Sequence, residues 1–66
     1  MRITVNGEAK ELSANTTVKD LLQLMDLVNR RLAVEINLEI LPRSRYDEYR
    51  FQENDRVEIV HAIGGG

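Results

Sequence analysis

The chain has 66 residues and a formal net charge of −2, with nine Lys/Arg against eleven Asp/Glu, a single histidine and no cysteine. So short a chain buries only about 60% of its unfolded surface and has room for one helix on one sheet; with no thiol and no second histidine beside His61, an autonomous enzyme, a metal centre and a disulfide staple are set aside. Nucleic acid is a poor match because the basic residues form no stripe longer than Asn29-Arg30-Arg31 or Arg43-Ser44-Arg45, and no apolar run nears the roughly 20 residues of a membrane span, so a cytoplasmic protein, monomeric when free, is expected.

Met1, Ile3 and Val5 alternate with Arg2, Thr4 and Asn6, the period of a strand with one buried face. Met1-Arg2 leads straight into that pattern rather than into a signal peptide. Asn6-Gly7 accepts positive φ at both residues and predicts a hairpin. The returning strand, residues 8–13, has only Ala9 and Leu12 as apolar residues, and its Glu8, Lys10 and Glu11 suit an edge that discourages pairing with other chains.

Thr17-Val18-Lys19-Asp20 has the form of a capping box and predicts a helix start. Leu21, Leu22, Met25 and Val28 follow at helical spacing, Leu24 and Leu27 widen the stripe, and Lys19, Gln23 and Asp26 face water. Asn29-Arg30-Arg31 is expected to close this helix, with positive charge against its dipole. Residues 32–37 alternate again, with Val34 and Ile36 on one face and Ala33 and Glu35 on the other. After a tight connection at Asn37-Leu38, Ile40-Leu41 forms a short strand that Pro42 ends by withholding a ladder donor.

Residues 43–52 show no clear period and predict a loop with one helical turn, pinned by Tyr46 and Phe51. Glu53-Asn54-Asp55 turns the chain into a last strand, residues 56–62, with Val57 and Ile59 inward and Glu58, Val60 and Ala62 outward. By alternation His61 falls on the Val57/Ile59 side, where a partly buried packing role or an edge hydrogen bond is expected rather than a catalytic role.

The order strand, hairpin, strand, helix, strand, short strand, strand gives an α+β chain without repeat or linker. One helix covers one face of a sheet of four to five strands, and a right-handed crossover is expected to make the strand after the helix parallel to its sheet neighbour. That arrangement is a β-grasp, or ubiquitin-like, fold. Residues 1–63 form its domain and 64–66 a flexible tail. The uncovered face carries Val60 and Ala62, with Ile63 beside them, and offers Glu58 and Glu35 to arginines of a partner. Gly64, Gly65 and Gly66 have no Cβ, so an extended backbone there fits a channel too narrow for any side chain. The Gly66 carboxylate has no branch point beside its carbonyl, which suits an acyl group that another enzyme activates.

Over essentially its whole length the chain resembles the small sulfur carrier proteins of the ThiS type. The resemblance rests on Val5-Asn6-Gly7, on Thr17-Val18-Lys19-Asp20-Leu21-Leu22, on Ala33-Val34-Glu35-Ile36-Asn37 with Ile40-Leu41-Pro42-Arg43, and on residues 54–60 before the glycines. It departs at Leu38 and Asn54, where that family often has glycine, so two turns are expected to differ in shape. The resemblance implies that Gly66 is adenylated by an ATP-dependent E1-like enzyme of the ThiF type. Sulfur from a cysteine desulfurase then gives a thiocarboxylate, which is presented to a thiazole synthase of the ThiG type for thiamine biosynthesis. The carrier itself is then a co-substrate that binds no cofactor. A molybdopterin-type carrier, a ubiquitin-like modifier and a plain β-grasp interaction domain are the alternatives.

Overall fold

A computed structural model describes residues 1–61. The strand end at Ala62, the docking residue Ile63, the boundary between domain and tail, and the tail itself, Gly64, Gly65 and Gly66, lie outside the described residues. Within them the elements are β1 (Arg2–Val5), β2 (Glu8–Glu11), α1 (Val18–Leu24), β3 (Leu32–Ile36), β4 (Glu39–Leu41), a 3-10 turn (Arg43–Arg45) and β5 (Arg56–His61). They form one sheet in the order β2-β1-β5-β3-β4, with the acidic β2 at an edge as its sequence predicts.

The last strand lands in the middle. β5 runs parallel to β1 and antiparallel to β3, and β4 and β2 are antiparallel to their neighbours. The expected parallel pairing of the strand after the helix is therefore not found. β5 separates β3 from β1, so both neighbours of β3 are antiparallel, and the parallel contact belongs to the first and last strands.

Alternation places the core as expected. Ile3, Val5, Val34, Ile36, Val57 and Ile59 are buried on one face of the sheet, against Val18, Leu21 and Leu22 of α1. The helix starts as its capping box requires. The Asp20 amide donates to Thr17 Oγ1 and the Thr17 amide to Asp20 Oδ2, both at 3.1 Å. The amides of Val18 and Lys19 donate to the carbonyls of Tyr49 and Tyr46, which ties the 43–52 loop to the helix start. Phe51 is buried and Tyr46 half-buried, so both pin that loop as predicted.

The helix ends a turn early. Met25 is its C-cap and Asp26 follows in the left-handed region at φ 57°. The Leu27 amide then donates to the Leu22 carbonyl at 2.8 Å and the Asp26 amide to the Gln23 carbonyl at 3.1 Å. This is the Schellman closure, with an aspartate where glycine is usual; a short polar side chain tolerates that conformation better than most. Arg30 and Arg31 consequently stand beyond the helix rather than on its last turn, and Leu24 is exposed rather than part of the core stripe.

Two asparagines hold β5 from opposite sides. Asn6, at φ 50°, turns β1 away into its hairpin, yet its side-chain amide continues the ladder: Oδ1 accepts from the Ile59 amide at 2.8 Å and Nδ2 donates to the Ile59 carbonyl at 3.3 Å. Asn37, at φ 52°, does the same from the β3 side, where its Oδ1 accepts from the Arg56 amide at 3.0 Å. Its Nδ2 donates to Asp55 Oδ1 at 3.0 Å. Asp55 is buried, and its other oxygen accepts from the Tyr49 hydroxyl at 2.8 Å and the Gln52 amide at 2.9 Å. Burial first, and then the Asp55 carboxylate, push the Tyr49 phenol up to about 12, which keeps it a donor.

Leu38 and Asn54 adopt φ 72° and 70°. Both take the positive φ that glycine adopts freely. Leu38 bears the cost, since an apolar side chain in the left-handed region gains no local hydrogen bond. Opposite effects follow for two glycine substitutions. Leu38→Gly removes strain and should raise stability by about 1 kcal/mol. Asn6→Gly preserves the turn but strips Ile59 of two bonds, and should lower stability by about 1–3 kcal/mol. Denaturant melts measure both.

Candidate functional site

Because α1 covers one face of the sheet, the opposite face is built from the alternate residues of its strands. Along β5 these are Arg56, Glu58 and Val60, and along β3 they are Ala33 and Glu35. Register brings them into rows. Ala33 pairs with Val60, and Glu35 pairs with Glu58 on one side and with Ile40 of β4 on the other. Val60 is 52% exposed and Ile40 70% exposed, so the open face carries apolar side chains around two half-buried glutamates.

Val60, Glu58 and Glu35, read from the sequence as docking residues, thus share one surface. Ala62 and Ile63 lie outside the described residues, as do the glycines. Ile40 was missed as a member of this face. The signal for it was the two-residue turn at Asn37-Leu38, which fixes Ile36 opposite Glu39 and so Ile40 opposite Glu35.

Glu35 and Glu58 face each other across an antiparallel pair, where like charges are unfavourable. Arg56 Nε lies 3.8 Å from Glu58 Oε1 and relieves part of that repulsion, although an exposed pair of this kind is typically worth only about 0–1 kcal/mol. A cationic group from a partner would relieve more. His61 pairs with Leu32 at the end of β5 and is exposed, which corrects the packing role expected for it. The buried layer over β5 ends at Ile59, so the inward direction at position 61 meets solvent.

Among the described residues no group of three His, Asp or Glu is placed to hold a metal ion, and no helix is long and apolar enough to cross a membrane. The open face combines exposed apolar side chains with carboxylates, a composition suited to contact with another protein. Its apolar residues supply area removed from water and its carboxylates supply orientation.

The ThiS family model matches residues 3–66. The chain is 44% identical over 66 residues to a thiazole synthase of Paramagnetospirillum magneticum, but spans only 20% of that protein's length. It is 38% identical over 65 residues to the sulfur carrier protein ThiS of Bacillus subtilis, covering 98% of it. With the Escherichia coli protein of the same name it shares 32% of 66 residues, over the full length of both. The crystal structure of a thiamine biosynthesis protein, ThiS, from Geobacter metallireducens superposes with a TM-score of 0.85 at 30% identity, covering both chains entirely.

The facing glutamates provide a direct check on the register. Glu35→Lys turns a repulsive cross-strand pair into an attractive one and should raise stability by about 0.2–1 kcal/mol. Thermal melts at low salt read the gain, which should shrink as salt is added.

Proposed function

The chain belongs to the ThiS family, and on that premise we propose that it is a sulfur carrier protein of thiamine biosynthesis, with the carboxylate of Gly66 as its reactive group. The observation that carries this reading is the family match through Gly66, together with full-length similarity to proteins named as sulfur carriers. The likeness to one fifth of a thiazole synthase supports that enzyme as the acceptor.

In this reading residues 1–63 dock and residues 64–66 reach into the partner. A carboxylate is a poor electrophile. An E1-like adenylyltransferase of the ThiF type therefore joins it to the α-phosphate of ATP and releases pyrophosphate. The terminal sulfur of a persulfide supplied through a cysteine desulfurase then displaces AMP to give an acyl disulfide; a second thiol cleaves its S–S bond, forming a disulfide with the other sulfur and releasing a thiocarboxylate, which has a softer, more nucleophilic atom than the oxygen it replaced. A thiazole synthase of the ThiG type takes that sulfur. ATP is consumed on the partner, in the cytoplasm, and the carrier contributes no catalytic group and holds no cofactor of its own.

Docking and chemistry are divided between face and tail. Ordering a backbone costs roughly 1–2 kcal/mol per residue, so Gly64, Gly65 and Gly66 entering a channel oppose binding by about 3–6 kcal/mol. At about 25 cal/mol per Å², burial of a few hundred Å² around Val60, Ile40, Ala62 and Ile63 offsets this. The complex then forms and still exchanges, as a carrier serving several enzymes requires.

Incubated with an activating enzyme, ATP and a sulfur donor, the intact chain should gain the mass of one sulfur in place of one oxygen, located at Gly66. Without the donor the reaction should stop at the adenylate. Gly65→Val puts a branched Cβ into the channel and should abolish both products while circular dichroism stays unchanged. A chain extended beyond Gly66 has no free carboxylate there, and sulfur gained by such a chain would contradict the proposal.

A further inference from the structure

A groove lies on the helix side of the sheet. Early closure of α1 turns Leu27 and Val28 out of the helical stripe, and with Leu22, Leu32 and Tyr46 they line a groove of about 330 Å³ between the helix end and the turn at Arg43–Arg45. Val28, 41% exposed, opens part of this apolar surface to water. That volume is within the range of sites that enclose a ligand group.

The groove is basic at its edges. Lys19, Arg30 and Arg43 border it, against Asp47 alone, in a chain whose overall charge is −2. Arg43 is steered there by a bond from Nη2 to the Arg30 carbonyl at 3.3 Å, which uses one of the five donors of its guanidinium. A shallow depression bordered by Leu32, Arg43, Val60 and His61 shares two residues with the groove and leads to the end of β5. The open face presents glutamates, whereas the groove presents cations, so one charge type cannot satisfy both.

We propose that this groove docks a segment of a protein partner in which a large apolar side chain is flanked by carboxylates. The apolar side chain covers Leu27, Val28 and Leu32, and the carboxylates meet Arg43, Arg30 and Lys19. Charge-assisted bonds from a guanidinium fork give the contact direction as well as strength. Such a contact lets a partner grip the carrier on the side opposite its acidic face, near the described end of β5 at His61. This goes beyond the sulfur chemistry and stands on binding alone.

The test is an amide-resolved NMR titration of the isotope-labelled full chain with the acetylated, amidated hexapeptide Asp-Glu-Leu-Phe-Glu-Asp. Shifts are expected at Leu27, Val28, Leu32 and Tyr46, weakening as salt is added. Arg43→Glu should reduce the affinity about tenfold, and Val28→Asp should abolish the shifts. Both side chains are exposed; if either variant unfolds, Lys19→Glu on the helix surface replaces it, with the same expected direction. A peptide with Ser-Ser in place of Leu-Phe should not bind. The proposal is overturned if the shifts fall on Ala33, Glu58 and Val60 instead, or if the folded variants bind as tightly as the parent. It is overturned equally if inorganic phosphate reproduces the shifts, or if they follow protein concentration without peptide, which would make a second copy the occupant.

Discussion

The central strand β5 is hydrogen-bonded along both edges, to β1 on one side and β3 on the other, and each edge is extended by an asparagine side chain. Asn6 and Asn37 occupy equivalent places in two hairpins. Each turns its own strand away with a positive φ and then uses its amide to keep hold of β5. One residue type thus does the work of a turn and of a further ladder position. The strand cannot slide without breaking both clamps together with the Asp55 network at its start.

The consequence for function is positional. The described part of the strand that precedes the glycines in the sequence is rooted in the most constrained part of the sheet. The same sheet has one helix, and one helix leaves one face open. Val60, Ala33 and Ile40 are therefore apolar residues without a cover, next to a glutamate pair that repels itself. This surface is tolerable in a free domain and better satisfied against a partner that brings cations and apolar area. The early end of α1 produces the second feature, a groove with the opposite charge.

Local patterns in the sequence carried much of this architecture. Alternation located Ile3, Val5, Val34, Ile36, Val57 and Ile59, and the capping box located the helix start, because both signals involve neighbours in the chain. The end of the helix was not legible. Asp26 takes the left-handed conformation that usually announces itself as glycine, while the apolar spacing continues to Val28 as though the helix did. Strand order was hidden for a different reason: placing β5 between β1 and β3 depends on contacts such as Asn6 to Ile59, across most of the chain. Asp55 reads as a turn residue, and its burial follows from partners at Asn37 and Tyr49 that no spacing connects. On the open face, Val60, Glu58 and Glu35 came from alternation alone. Ile40 needed the hairpin register, and His61 shows where alternation fails, at a strand end with no layer left to cover it.

In the proposed function the chain is a courier whose folded part presents one carboxylate, and the decisive observation is the fate of the sulfur. The chain would be converted to its thiocarboxylate with isotopically labelled sulfur, purified, and given to a thiazole synthase with its other substrates. The account predicts that the label leaves the protein and appears in the thiazole product in proportion to the carrier consumed, returning Gly66 to a carboxylate. Label retained on the protein while unlabelled thiazole accumulates would contradict it.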